Sequence, residues 1–325
     1  MHTVRSIFLA LCCALAPLAA GPAAAADYPD KVVRLVVPWA TGGFNDILGR
    51  MLAERMSRGL GQQVIVENKP GAAGTLGSEF VARAAPDGYT LLLATADTHA
   101  ISPAVYPNLR YDPVKDFEPV AMLVTQPVLL WVRADSPLRT LDDFLAEAKK
   151  RPGELTYASN GNGSATHLGM EDFSRAAGIR MLHVPYKGTG PALIDLMGGR
   201  LDTMFLSVQA AGPHGESGAL RPLALTAGKR SARMPDVPTL DETCCAGFRL
   251  ALWQGLVAAK GTPPEVVAKV SQAAVAALQD PEIRDPMAAL GVETIGGGPQ
   301  AFGDFLQQET ARWRDVVKSV GVRLE

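Results

Sequence analysis

The chain has 325 residues with 31 basic and 33 acidic side chains, a formal charge of −2. It carries no basic block, which argues against a nucleic-acid partner, and after the first residues no apolar run reaches membrane length. About 300 mature residues exceed one typical core and fit two domains.

Arg5 precedes the apolar stretch Ile7–Ala20 and the small-residue run Ala24-Ala25-Ala26. This is the form of a secretory signal peptide covering 1–26, with cleavage expected after Ala26. Export follows. Only Cys244 and Cys245 remain after cleavage. Being adjacent, they bridge only through a strained ring and cannot staple the fold. Stability must come from ordinary core burial.

Strand and helix patterns then alternate. "VVRLVVPW" is a buried-strand run, and "NDILGRMLAERMSRGLG" has helical spacing closed by Gly59 and Gly61. "QQVIVEN" and "YTLLLAT" are further strands, with the helix "LGSEFVARAAPDG" between them. "VAMLVTQPVLLWVRAD" suggests a long crossing strand pair. The helix "TLDDFLAEAKKRPG" follows, then the strands "LTYAS", "RMLHVPY", "TMFLSV" and "LRPLALTA" with helices between. "FRLALWQGLVAA" brings the chain back, and three helices are expected over 264–278, 281–290 and 299–320. Such alternation predicts parallel sheets covered by helices. The fold class is α/β, with two lobes and a cleft between them. The expected division is 27–126 for the first lobe, 127–250 for the second, and 251–325 returning to the first.

Two stretches carry chemistry. In "PWATGGFNDILGR" a strand ends at a bare glycine pair before a helix. Backbone N–H groups at the positive end of that helix make an anion site. Gly42 and Gly43 let the main chain approach a ligand without a Cβ, and Asn45 or Asp46 can cap the helix. A plain tight turn would read the same way. In "YASNGNGSATHLGMEDF" the device recurs, with small donors at Ser159, Gly161, Gly163, Ser164 and Thr166. This segment nearly matches a dinucleotide fingerprint but lacks the third glycine and the downstream acid, so no nucleotide cofactor is expected. Ser164 and His167 lie one helical turn apart without a nucleophile-elbow motif or a third triad member. The histidines are not spaced for a metal. Trp131 and Trp253 read as core or hinge packing, with cleft lining as the alternative.

Taken in order, "PWATGGFNDILGR", "VENKPGAAGTLGS", "PDGYTLL", "YASNGNGSATHLGMEDF", "HVPYKGTGPALIDLMGGRLD", "LRPLALTAGKRSARMPDVPTLDE" and "WQGLVAAKGTP" span nearly the whole mature chain. The set resembles the Bug family of periplasmic substrate-binding proteins, the receptors of tripartite tricarboxylate transporters. The resemblance implies two lobes closing on a small carboxylate, held by backbone amides and ordered water at two opposed loops. By match of motif, the ligand-binding residues would be Thr41, Gly42, Gly43, Phe44, Asn45 and Asp46 in the first loop. Ser159, Gly161, Gly163, Ser164, Ala165, Thr166 and His167 would form the second. Thr95 and Asp97, Lys187, Ser207 and Gln209 would complete the set. Phe44 is bulky where relatives are often small, and so bears on pocket size.

The resemblance further implies no catalytic residues, no metal and no cofactor. It implies delivery to integral membrane components of a tripartite transporter by a receptor acting as a monomer. Two other readings share the pattern: an exported α/β hydrolase-like enzyme, and a ligand-binding receptor for a signalling partner.

Overall fold

The computed structural model describes residues 28–231 and 233–321. The signal segment and its cleavage point lie outside the described residues. The strands are β1 (Val33–Val37), β2 (Val64–Asn68), β3 (Thr90–Thr95), β4 (Phe117–Arg133), β5 (Thr156–Ser159), β6 (Leu182–Pro185), β7 (Thr203–Ser207), β8 (Leu220–Leu225), β9 (Ala251–Ala259) and β10 (Glu293–Gly297). The helices are α1 (Phe44–Leu60), α2 (Thr75–Ala82), α3 (Ser102–Val105), α4 (Leu141–Lys150), α5 (Ala165–Ala177), α6 (Thr189–Met197), α7 (Val208–Glu216), α8 (Leu240–Thr243), α9 (Pro264–Gln279), α10 (Pro281–Ala289) and α11 (Pro299–Val320). A π-turn, Asp97–Ile101, leads into α3. No helix among the described residues is long and apolar enough to cross a membrane.

The strands lie in the order β2-β1-β3-β9-β4-β7-β5-β6, and β10 and β8 both add to β4. β4 is the pivot. Its residues up to Pro127 pair with β9 on one side, and Met122 to Thr125 pair with β10 on the other. From Val128 onward it pairs with β7 and β8. One strand therefore belongs to two sheets, and its partners change at Gln126-Pro127-Val128. The sequence suggested a strand pair here, and the structure corrects this to one continuous 17-residue strand. No glycine interrupts the run, and proline keeps the chain extended while giving up one N–H.

Towards each edge the strands run parallel: β1 with β2 and β3, and β5 with β6 and β7. Those inside the edge are covered on both faces and so carry continuous apolar runs. Leu35, Val36 and Val37 of β1 are all fully buried. α1 and α9 pack Leu48, Leu52, Met56, Val270 and Ala274 on one face of the first sheet. A second cluster runs from Val36 and Leu92 through Phe302 and Trp313 to Phe144 and Phe173. The far face of the second sheet buries Trp131 under Leu196 and Ala211, with the indole N–H donating to Leu206 O at 3.1 Å.

Helix ends follow local chemistry. Thr140 and Asp143 form a capping box on α4. α1 stops at Gly61, whose φ of 69° suits glycine. β10 escaped the sequence reading because "ETIGG" has one apolar residue and two glycines. Cys244 and Cys245 are free thiols, Cys245 buried beside Phe248 in the core.

Candidate functional site

The carboxyl ends of β1, β3, β5 and β7 face a cavity of about 580 Å³. In open α/β sheets this crevice is where ligands bind. One wall is formed by Trp39, Phe44, Asn45, Ala73, Thr95 to Asp97, Ser102 and Tyr106. The opposite wall comprises Asn160, Asn162 to Thr166, Thr189, Ser207, Gln209 and Ala210. Gln126 from β4 and Leu252, Trp253 and Gln254 from β9 close the floor. The helices α1, α5 and α7 all start here and direct their positive ends at the space.

The first loop is braced from within. Gly42, at φ 87°, donates its N–H to Asp46 Oδ2 at 2.9 Å. Asp46 also receives Arg50 Nε at 3.1 Å and Asn68 Nδ2 at 2.9 Å. Arg50, foremost, with the Gly42 and Asn68 donors, holds this carboxyl at a pKa of about 2. The N-cap is Gly43, with no side-chain cap from Asn45 or Asp46. Thr41, Gly42, Gly43 and Asp46 do not line the cavity, whereas Phe44 and Asn45 do. A Cβ at Gly43 would meet only Ala40 O, at 3.7 Å.

The second loop is braced by two histidines. Gly163 N–H donates to His167 Nδ1 at 3.0 Å, which places the remaining ring proton on Nε2. His167 stacks on His183 at 3.9 Å with 9° between planes, and His183 Nε2 lies 2.7 Å from Ser159 Oγ. Burial pushes both rings down to about 4, and His167 adds to the effect on His183, so both are neutral near pH 7. Ser159, Gly161 and His167 support the loop from behind. Gly163, Ser164, Ala165 and Thr166 line the cavity. Ser164 Oγ accepts His167 N–H at 3.3 Å as the α5 cap, and Thr166 Oγ1 accepts Asn160 N–H at 3.1 Å. Ser207 caps α7 through Ala210 N at 3.3 Å and lines the cavity with Gln209. Thr95 and Asp97 line it from the first wall. Lys187 is exposed on the surface and does not line it.

Among the described residues, no Lys, Arg or His lines the cavity, and Asp97 is the one carboxyl. Burial raises the Asp97 pKa above the usual carboxylate range. Four cavity-lining side chains hold a buried polar atom without a partner: Trp39 Nε1, Asn45 Oδ1, Gln126 Oε1 and Gln254 Oε1. Such atoms are uncommon inside proteins. Trp253 lines the floor and also packs in the core, edge-on to Phe302 and Phe305, with its indole N–H on Glu309 Oε2 at 3.3 Å. Sequence reasoning missed Trp39, Tyr106, Asn160, Asn162, Thr189 and both glutamines. The glutamines did leave a signal, each being a polar residue inside an apolar strand run. Among the described residues, no group of three or more His, Cys, Asp or Glu side chains could hold a metal.

Two sheets sharing one strand, with a polar cavity at their helix-starting ends, define the two-lobed solute-binding fold. Residues 48–322 match the family described as tripartite tricarboxylate transporter family receptor. The chain belongs to this family. It is 35% identical to protein BugT of Bordetella pertussis over 94% of each chain. Two solved relatives come from Rhodopseudomonas palustris. Rpa4515 with adipate is 35% identical with a TM-score of 0.82, covering 91% of this chain and 99% of that one. MatC with bound malate is 36% identical with a TM-score of 0.78, covering 89% and 100%.

Proposed function

We propose that this protein is a periplasmic receptor that captures a small organic carboxylate in the interlobe cavity and hands it to the membrane components of a tripartite transporter. The single observation that carries the reading is the cavity's chemistry: three helix N-termini converge on it, with no Lys, Arg or His among the described residues in its lining. Neutral donors hold an anion without a buried permanent cation, which would be costly and would slow release. The adipate and malate bound by the two relatives are carboxylates of this kind.

The ligand-facing set we assign is Phe44, Asn45, Thr95, Asp97, Gly163 to Thr166, Ser207 and Gln209, extended by Trp39, Gln126 and Gln254. The lobes are residues 27–126 with 251–325, and residues 127–250, flexing where β4 and β9 cross. A binding role is favoured over catalysis by two details. The Ser164 hydroxyl donates to Gly161 O at 2.7 Å while the His167 ring is turned to Gly163. The other serine–histidine pair, Ser159 and His183, includes a fully buried hydroxyl outside the cavity lining.

A thermal-shift panel of succinate, malate, adipate and benzoate, each against its uncharged amide, tests this. Ligand binding to the folded state raises the melting temperature, by an amount that grows with ligand concentration over Kd. At least one carboxylate should raise it while its amide does not. Equal shifts from acids and amides, or none from any acid, would sink the assignment.

A further inference from the structure

The one charged group in the cavity has the wrong sign for the ligand we assign. Asp97 projects from the first wall, and its Oδ1 accepts the N–H of Ala165 across the cavity at 3.2 Å. Ala165 opens α5, so Asp97 occupies a donor at the helix end best placed for an anion.

Among the described residues, no neighbouring group neutralises it. Tyr106, which follows α3, shares the cavity wall as an uncharged phenol. His99, two residues along, is buried against Tyr111 and Phe117, and burial pushes it down to about 3, so it is uncharged. His167 on α5 is turned to Gly163. On α11, Glu309 accepts the Trp253 and Trp313 indole N–H groups and pairs with Arg312 at 3.3 Å. Thr75 to Ala82, forming α2, places Glu79 against Arg83 and Arg110 outside the cavity lining.

Resting on the carboxylate reading above, we propose that Asp97 makes binding proton-coupled: the anion enters with one proton from solvent, which resides on the Asp97 carboxyl in the complex. Two carboxylates sharing a site without a cation cannot both stay ionised, and one is forced to hold a proton. The neutral acid keeps Ala165 N–H on Oδ1 and turns its other oxygen into an O–H donor. Asp97 then joins the donors that the rest of the cavity offers to a ligand oxygen. The balance is one ligand anion plus one proton taken up by one ionised receptor. Affinity therefore falls as pH rises above the Asp97 pKa of the free protein.

The test uses the tightest binder of the four-acid panel between pH 6.5 and 9, where the probes are predominantly ionised because free carboxyls titrate at about 4. The parent Kd should weaken by up to about tenfold per pH unit on the alkaline side, since one proton is linked to binding. Calorimetry in buffers of different ionisation enthalpy should show proton uptake approaching one per ligand in that range. Asp97→Asn supplies the same acceptor and a fixed N–H donor. It should bind with the parent's low-pH affinity at every pH and take up no proton. A pH-independent Kd without proton uptake in the parent would overturn the proposal. So would loss of binding in Asp97→Asn with an unchanged melting temperature, which would show that the carboxylate works as an anion facing a cationic group. If no panel member binds at all, the carboxylate reading fails and this inference fails with it.

Discussion

A protein carrying Gln126→Leu together with Gln254→Leu is expected to bind its carboxylate at least about a hundredfold more weakly and yet to melt higher than the parent. The two glutamines sit diagonally on the paired strands β4 and β9, where Val124 opposes Gln254 and Gln126 opposes Leu252. Each is only 4% exposed, and each amide oxygen is sealed off without a partner. Both side chains reach the cavity floor. For the free protein they are a liability, because an unsatisfied buried polar group costs about 1–3 kcal/mol. Leucine has a similar volume and removes that cost. With a ligand carboxylate present, each amide N–H is a hydrogen bond to a charged group, worth about 1.5–3 kcal/mol. Losing two amounts to about 3 kcal/mol or more, which is the hundredfold. Calorimetric titration and a melting curve of the double variant measure both signs. Unchanged affinity would remove the floor from the site, and a lower melting temperature would make the amides structural.

The second large effect falls on stability. Gly255 lies on β9 between Ala94 of β3 and Met122 of β4. A Cβ there would run into the Phe302 ring, which is fully buried. That ring is held edge-on to Trp253 at 5.9 Å. Gly255→Ala should therefore destabilise the protein by about 2–3 kcal/mol, the upper range for overpacking. Adding Phe302→Leu should restore part of the loss, so that the double variant is more stable than the sum of the singles. Urea midpoints of the four proteins give the coupling. Strict additivity would mean that the strand shifts and the ring does not matter.

Much of this architecture was legible in the sequence because alternating buried strands and helices leave few ways to build a sheet. The ordered glycine loops marked the ends of β1 and β5 as the working end of the fold. Which atoms of those loops reach the cavity was not legible. Asp46 follows the glycine pair and looks like a helix cap, yet it turns back to Gly42 and Arg50. The reason is that Asn68, twenty-two residues on, ends the neighbouring strand β2 at the same point. By match of motif His167 was expected among the ligand-binding residues. Its place is fixed instead by stacking on His183, a residue of the adjacent strand β6. The floor was hidden for a different reason. Gln126 and Gln254 come from segments 128 positions apart, and only the pairing of β4 with β9 brings them together. Lys187 lies next to the site in sequence but projects to the surface.

As a receptor site, the cavity should bind a carboxylate and release it unchanged. Titration calorimetry of the best panel acid, followed by proton NMR of the recovered ligand after prolonged incubation, tests this most directly. One saturable site per chain, heat that stops at saturation, and a recovered ligand identical to the one added are expected. Steady heat after saturation, or a new product in the spectrum, would contradict it.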